Sequence, residues 1–188
     1  YGDLWFENPP PNPLKANDTQ GNVLYIGSMS KTLSPGLRIG WIVGPEPVIE
    51  RLADIKMQTD YGSSSLSQYA VDKWLRSGMY EGFLKETKEE LRFRRDFTIQ
   101  ILEKYFSEIA TWKTPKGGFY IWLKLLTGVS TRKLFNAALR EGILLNPGSV
   151  YDNNDDQHLR ISYSYASMDQ LEEGLVYLAQ LIKNSSMN

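Results

Sequence analysis

The sequence predicts an α/β protein built in two successive parts. Short apolar runs alternate with longer amphipathic segments, and the longest helical pattern, at residues 80–106, separates a first group of elements from a second. Of the 188 residues, 41% are hydrophobic and 23% are charged, which is typical of a folded globular protein rather than a disordered one. We therefore expect one part over residues 1–78 and a second, α+β part over residues 79–188.

The first part contains a loop, two predicted strands and two predicted helices. Residues 9–22 are polar and rich in proline, which is typical of a loop. The apolar run at residues 23–26 predicts a buried strand, and residues 38–44 predict a second strand. A helix is expected from residue 47 and another over residues 66–76, where a glycine two positions later ends it.

The second part contains seven segments in which apolar residues recur at helical or strand spacing. The segments with helical spacing are residues 80–106, 130–140 and 167–182. The segments with the character of strands are residues 109–113, 119–125, 143–146 and 158–163. Ser167 and Gln170 have the spacing of a capping box, which predicts where the last helix begins. Its buried face is predicted to consist of Leu171, Leu175, Leu178 and Ile182.

Charge and hydropathy limit the classes of partner that the chain can have. The net charge is −1, which gives no general attraction for DNA or anionic membranes. Arg92, Arg94 and Arg95 are a candidate nucleic-acid patch, but their acidic neighbours favour a solvated helix face. No apolar run reaches the ~18 residues of a membrane span, so we expect no membrane partner and a cytoplasmic protein.

Metal sites are not predicted. The chain has no cysteine, which excludes thiolate ligands, and His158 is its single histidine, which argues against a site with several histidines. The acidic run at residues 152–156 lacks the glutamate that would complete a calcium loop, so we expect a solvated turn there.

The most informative segment is a polar turn between the first two predicted strands. It contains Ser28, Ser30 and Lys31, and Arg38 follows seven residues after the lysine. A lysine amine can form a Schiff base with an aldehyde, and serine and arginine side chains bind phosphate. Pyridoxal 5′-phosphate (PLP) is an aldehyde that carries a phosphate and suits this set. A plain surface turn, or a Ser-x-x-Lys pair in which Lys31 activates Ser28, is the alternative; the Lys-Thr-Gly strand that accompanies such a pair is absent from the sequence.

Four segments in order resemble the fold type I PLP-dependent aminotransferases of class I and II. The first, residues 28–41, reads Ser-x-Ser-Lys-x-x-x-Pro-Gly-x-Arg-x-Gly-Trp, like the cofactor-lysine motif of that family. The others are residues 115–122 (Pro-Lys-Gly-Gly-Phe-Tyr-Ile-Trp), 142–149 (Gly-Ile-Leu-Leu-Asn-Pro-Gly-Ser) and 159–163 (Leu-Arg-Ile-Ser-Tyr). The resemblance is to the C-terminal portion of this fold. It implies that residues 1–78 are the remnant of the large, PLP-binding domain with its sheet and that residues 79–188 are the small C-terminal domain.

The resemblance implies a role for each residue that matches a family motif. The residues that would hold PLP are Lys31, Ser28, Ser30, Arg38 and Tyr1. Lys31 would also be catalytic, as the Schiff-base lysine that moves protons, and Tyr1 would hydrogen-bond the pyridine 3-hydroxyl unless it is an ordinary strand-end tyrosine. Arg160 would bind the α-carboxylate of an amino acid or 2-oxo acid, with an internal ion pair as its structural alternative.

The motif around Lys31 resembles two groups within the family in particular. One is the aminotransferase-like effector domain of GntR/MocR-type transcriptional regulators, which senses an amino acid, forms homodimers and follows a winged-helix domain. The Asp-Leu-Trp-Phe run at residues 3–6 favours this group, and DNA would then be bound only through an N-terminal winged-helix domain absent from this chain. The alternative is part of a free-standing PLP-dependent aminotransferase of the aminoadipate or aromatic type.

Several parts of the family's cofactor site have no counterpart in the chain. The glycine-rich phosphate loop, the aromatic residue that stacks on the ring and the pyridinium aspartate would all precede Tyr1. We therefore expect that the 188-residue chain alone is not competent as a transaminase, and that the sequence upstream of Tyr1 distinguishes a regulator from an enzyme.

Overall fold

A computed structural model of the chain describes residues 2–7 and 9–186. The chain divides into two compact units, Tyr1–Lys88 and Glu89–Asn188, and each unit has its own antiparallel sheet. The division between the units falls inside the longest helix, later than the boundary at residues 78 and 79 that the sequence suggests. The assignment of residues 1–78 and 79–188 to two domains stays a prediction.

The N-terminal unit consists of a two-stranded ribbon followed by helices. Strand β1 (Tyr25–Ser28) pairs with β2 (Gly40–Val43), so that Tyr25 lies opposite Val43 and Ser28 lies opposite Gly40. The helices are α1 (Glu46–Asp60), α2 (Ser65–Arg76) and the first part of α3 (Met79–Phe106). The Ser64 hydroxyl caps α2 by accepting from the Ser67 N–H at 3.2 Å.

The prediction of a buried strand at residues 23–26 is wrong in two respects. Strand β1 begins two residues later, at Tyr25, and its apolar side chains are exposed, Ile26 by 72%. Among the described residues the ribbon has only two strands, and no other described element buries these side chains. An apolar run shows that a strand is suited to burial, whereas actual burial depends on what packs against it.

The C-terminal unit packs a three-stranded antiparallel sheet against helices. The strands are β3 (Ala110–Trp112), β4 (Tyr120–Leu125) and β5 (His158–Ser162), in the order β3-β4-β5. The helices are the second part of α3, α4 (Thr131–Arg140) and α5 (Met168–Ser186). The fully buried side chains include Leu102, Phe106, Ile121, Leu123, Leu159 and Ile182. Alternation along β4 and β5 therefore sends one face to the core and leaves the other for Tyr120, Trp122 and Arg160.

The last helix confirms the predicted capping box. The Gln170 N–H donates to the Ser167 hydroxyl at 3.2 Å, and the Ser167 N–H donates to the Gln170 side chain at 3.1 Å. All four residues predicted for its apolar face are buried: Leu171, Leu175, Leu178 and Ile182. Within residues 2–7 and 9–186, no helix combines the length and hydropathy of a membrane span.

The predicted strand at residues 143–146 does not form. This segment runs beside β5, where the Arg160 N–H donates to the Asn146 carbonyl at 2.8 Å and Pro147 makes a single bridge to Leu159. Proline has no N–H to donate, so the ladder is not extended through this position. The described residues of this unit consequently form three strands instead of the four that the sequence suggests.

The prediction of a solvated arginine face on α3 is wrong for two of its three residues. Arg95 is only 3% exposed; its guanidinium pairs with Asp96 and donates to the Pro115 carbonyl at 2.7 Å. Arg94 donates to the Tyr163 carbonyl at 2.7 Å and also to the Ala166 carbonyl. These guanidinium groups tie α3 to the turns that precede β4 and follow β5, because a guanidinium can reach several acceptors at once.

Candidate functional site

Lys31 lies in the turn that joins β1 to β2, in the N-terminal unit. The Met29 N–H donates to the Ile39 carbonyl at 3.0 Å, and two N–H groups farther along the turn donate to the Met29 carbonyl at 2.9 and 3.0 Å. Together with the pairing of Ser28 and Gly40, these bonds close the turn. The structure thus places Ser28 and Arg38 at the same end of the ribbon as the lysine.

The side chains of the turn alternate between buried anchors and exposed polar groups. Met29 and Thr32 are 5% and 3% exposed, and the Thr32 hydroxyl lies 3.8 Å from the Met29 sulfur. Lys31 is exposed between them. Two buried anchors on either side of the lysine fix the backbone from which its amine extends.

The hydroxyl and guanidinium groups of the turn are oriented by local hydrogen bonds. The Ser28 hydroxyl accepts from the Ser30 N–H at 3.1 Å, and Arg38 donates to the Pro35 carbonyl at 3.2 Å. Arg38 itself has a φ of +55°, in the left-handed region, which costs a non-glycine residue about 1–2 kcal/mol. Backbone strain of this kind is found preferentially where the side chain has a functional position to keep.

The donors of this turn fit an aldehyde that carries a phosphate. Lys31 offers an amine, Ser28 and Ser30 offer hydroxyl donors, and Arg38 offers a planar fork for phosphate oxygens. Tyr1, the fifth predicted cofactor ligand, lies outside the described residues. The assignment of these five residues to PLP stays a prediction.

Arg160 lies on β5 in the C-terminal unit, on the face opposite the buried Leu159 and Ile161, as alternation predicts. Its guanidinium carbon lies 4.0 Å from the ring centre of Tyr120 and 5.2 Å from that of Tyr151. Its Nε is buried without a hydrogen-bond partner among the described residues, and Arg160 forms no ion pair with an acid of that part of the chain. The alternative to a carboxylate-binding role for Arg160, an internal ion pair, is therefore not found among the described residues.

Arg160 also lines a cavity of about 720 Å³ within the C-terminal unit. This volume is typical of sites for small molecules. The walls combine apolar side chains, such as Phe135, Leu144 and Val150, with the polar Asn146, whose Oδ1 is buried and unpartnered among the described residues. No carboxylate belongs to the described lining, so nothing there competes with an anionic ligand for the guanidinium.

The rings beside Arg160 continue into a cluster on the same face of the sheet. Trp122 stacks on His158, with ring centres 5.4 Å apart, and meets the edge of Tyr151 at 5.6 Å. His158 Nδ1 lies 2.8 Å from a carboxylate oxygen of Asp155. Burial raises the pKa of Asp155, but hydrogen bonds from His158 and from backbone N–H groups outweigh this effect and hold that pKa below its usual range.

Sequence reasoning missed Tyr120 and Tyr151 as neighbours of Arg160. Tyr120 could have been found, because alternation on β4 and the pairing of Trp122 with Arg160 place Tyr120 diagonally across from the arginine. Tyr151 follows a 3₁₀ turn at Gly148–Val150, and no periodic signal in the sequence predicts where its ring points.

Comparisons with known proteins give a consistent result. The sequence matches the family described as aminotransferase class I and II over residues 1–178. It is 53% identical over 188 residues to the uncharacterized HTH-type transcriptional regulator YisV of Bacillus subtilis, covering all of this chain and 39% of that protein. It is 38% identical over 184 residues to the HTH-type transcriptional regulator NorG of Staphylococcus aureus, covering 97% of this chain and 41% of that protein. The chain thus spans about two fifths of the length of these relatives.

Solved structures of similar fold include aminotransferases. The kynurenine aminotransferase of Pyrococcus horikoshii superposes with a TM-score of 0.92 at 31% identity, over 97% of this chain and 46% of that one. The α-aminoadipate aminotransferase LysN of Thermus thermophilus, complexed with N-(5′-phosphopyridoxyl)-L-leucine, superposes with a TM-score of 0.86 at 28% identity, over 98% of this chain and 48% of that one. These matches confirm the predicted fold class, an α/β portion of fold type I.

Proposed function

The chain belongs to the aminotransferase class I and II family, and we propose from this premise that it is the PLP-binding, amino-acid-sensing part of a GntR/MocR-type transcriptional regulator. The relatives named as HTH-type transcriptional regulators support the regulatory role. In this proposal the full-length protein is a cytoplasmic homodimer that binds DNA through an N-terminal winged-helix domain, which the chain does not include. An amino acid or 2-oxo acid is the effector.

The observation that carries the proposal is the turn between β1 and β2. Ser28, Ser30 and Arg38 would donate hydrogen bonds to the cofactor phosphate, and Lys31 would bond to its aldehyde carbon; Tyr1 would donate to the 3-hydroxyl. When bound, PLP supplies an electrophilic aldehyde and an electron sink for amino-acid chemistry. The Lys31 amine would then be the group of this chain that takes and returns the proton of the ligand Cα.

Arg160 would bind the α-carboxylate of the amino acid or 2-oxo acid. Its rigid fork can make two charge-assisted hydrogen bonds to an α-carboxylate, which a lysine cannot reproduce. The absence of an internal ion pair among the described residues and of any carboxylate in the described cavity lining supports this role.

The proposal is tested by replacing the lysine in the full-length protein. Lys31→Ala should fold with unchanged circular dichroism yet lose the visible absorption band of the lysine-bound cofactor after dialysis against PLP-free buffer. Lys56→Ala, which removes an exposed lysine of α1, is the matched control and should keep the band. A Lys31→Ala protein that keeps the band after dialysis would show that another group holds the cofactor.

A free-standing aminotransferase of the aminoadipate or aromatic type is the second candidate, supported by the likeness to solved aminotransferases. The two candidates differ in what the full-length protein does with an amino acid. A regulator should bind DNA of its own promoter region with an affinity that the amino acid changes. A free-standing aminotransferase should bind no such DNA. Given a second 2-oxo acid as amino acceptor, it should convert the amino acid to its 2-oxo acid at a steady rate.

A further inference from the structure

We propose that Tyr120 and Tyr151 are positioning residues for Arg160, holding its guanidinium by their rings so that its N–H edges stay available for a ligand carboxylate. This inference rests on the proposed function, because it takes Arg160 as the carboxylate-binding group. It adds two residues to the ligand site, and neither of them needs to touch the ligand.

The contact with Tyr120 follows from the register of the sheet. Trp122 lies directly opposite Arg160, and Tyr120 lies opposite Ser162, so Tyr120 is the diagonal neighbour of Arg160 on the same face. Diagonal neighbours are within reach of each other when one side chain is aromatic and the other is long. The observed separation of 4.0 Å between the guanidinium carbon and the ring centre is a stacking distance.

The position of Tyr151 is fixed by a different set of contacts. Its N–H donates to the Gly148 carbonyl at 2.8 Å, which closes the turn, and the edge contact with Trp122 orients its ring. A Cβ on Gly148 would collide with the Asp155 carboxylate, so the turn can approach Asp155 this closely only with glycine at that position. The ring of Tyr151 is thus presented to Arg160 by backbone and ring contacts together.

Rings are suited to this task in a way that an acidic residue is not. A carboxylate would accept the N–H donors of Arg160 and compete with the carboxylate of a ligand. A ring attracts the cation through its face and uses none of those donors. The buried, unpartnered Nε of Arg160 is consistent with an arginine whose orientation is set by stacking rather than by acceptors among the described residues.

The experiment compares ring-removing and ring-keeping variants in the full-length, PLP-loaded protein. The probes are the common amino acid that changes the wild-type cofactor spectrum most and the amine obtained from it by decarboxylation. Tyr120→Leu and Tyr151→Leu should each weaken binding of the amino acid about fivefold to tenfold, while Tyr120→Phe and Tyr151→Phe should restore it. Binding of the amine and of PLP should be the same in all four variants, because neither uses Arg160.

Controls separate this inference from a general loss of structure. Tyr165→Leu changes a tyrosine of the same unit that is 96% exposed and should bind the amino acid like the wild type. Tyr151 is 52% exposed, so Tyr151→Leu is expected to fold. If Tyr151→Leu aggregates, Tyr151→Gln is used in its place. The positioning role would be overturned if the leucine variants weakened binding of the amino acid and of the amine equally. It would also be overturned if they weakened the binding of neither.

The same titrations distinguish failure of this inference from failure of the proposed function. If Arg160→Lys weakens binding of the amino acid but the leucine variants do not, the rings are not needed to position Arg160. Only the positioning role is then contradicted. If Arg160→Lys binds the amino acid as tightly as the wild type does, Arg160 does not bind the ligand carboxylate. If no common amino acid changes the wild-type spectrum, the proposed function itself is contradicted.

Discussion

At the scale of single residues, Arg38 combines an unfavourable backbone conformation with a side chain that can bind phosphate. Its left-handed backbone is unfavourable for any residue with a side chain, whereas glycine adopts it freely. The left-handed position is at the end of a 3₁₀ helix, Pro35–Leu37, where a glycine would be the ordinary choice. An arginine in that place is explained if its guanidinium is needed at the turn.

The first prediction is that Arg38→Gly separates stability from cofactor binding. In the apoprotein the free energy of unfolding should change by no more than about 1 kcal/mol, because relief of backbone strain offsets the greater chain entropy of glycine. PLP affinity should fall by about 1.5–3 kcal/mol, since a charged hydrogen bond to phosphate is lost. Urea denaturation and PLP titration of the full-length protein measure the two quantities, and an unchanged PLP affinity would remove Arg38 from the phosphate site.

The second prediction concerns Arg160→Lys. Amino-acid binding should weaken by about 1.5–3 kcal/mol, because lysine cannot make the paired hydrogen bonds of the guanidinium. PLP binding should hardly change, since Ser28, Ser30 and Arg38 hold the phosphate in the proposed site. Titration of wild type and variant with amino acids, followed by the cofactor spectrum, checks both expectations. Equal affinities would mean that Arg160 is structural.

At the scale of secondary-structure elements, the N-terminus of α4 is held by the acidic run that precedes β5. The Asp156 carboxylate accepts from the Thr131 hydroxyl at 2.9 Å and from the Arg132 N–H at 3.2 Å. Hydrogen bonds from Ser130 and Thr131 hold the pKa of Asp156 below its usual range, although burial acts in the opposite direction. The prediction that residues 152–156 are simply a solvated turn is therefore wrong for this residue, because its carboxylate caps a helix.

The third prediction is that Asp156→Asn destabilises the protein in a pH-dependent way. A carboxyl whose pKa is lower in the folded protein stabilises it above the unfolded pKa of about 3.9, and this contribution is lost as the pH falls through the folded pKa. At neutral pH the variant should be less stable by about 1 kcal/mol. The difference should shrink as the pH is lowered below about 4.

Urea denaturation of the wild type and of Asp156→Asn, at neutral pH and below about pH 4, measures this difference in the free energy of unfolding. Asp54→Asn, which changes an exposed acid of α1, is the control and should alter stability by less than about 0.5 kcal/mol. A stability difference between wild type and Asp156→Asn that does not depend on pH would contradict the capping role of the carboxylate.

At the scale of the whole molecule, the two units differ in how far each buries its apolar residues. The C-terminal unit has a closed core, with Leu102, Phe106 and Leu159 fully buried. In the N-terminal unit the ribbon exposes Ile26, Ile42 and other apolar side chains. Contiguous exposed apolar surface marks a place where further protein packs.

The fourth prediction follows from this difference and tests the domain assignment. A fragment of residues 79–188 should fold alone and unfold cooperatively in urea, because its elements bury a core of their own. A fragment of residues 1–78 should aggregate or show no cooperative transition, because its ribbon exposes apolar strands. Circular dichroism and urea denaturation of both fragments provide the measurement. A fragment of residues 79–188 without a cooperative transition would show that the boundary is misplaced.

The sequence by itself determined the family, the fold class and most elements of the second part. Those inferences rest on local signals: the motif around Lys31, the strand alternation that places Arg160 opposite the core, and the capping box at Ser167 are all properties of short segments. A local signal is predictable because the residues that produce it are close in the sequence. The capping box and the alternation around Arg160 are confirmed, whereas the cofactor role of Lys31 stays a prediction.

Only the tertiary structure decided the features that depend on distant residues. Exposure of β1, the absence of a strand at residues 143–146 and the burial of Arg95 each depend on what packs beside the segment, not on its own residues. The contact of Arg160 with Tyr151 belongs to the same class, because a turn brings that ring to a strand without any periodic signal. Burial and side-chain contact arise from the packing of the whole chain, so the sequence of one segment could not fix them.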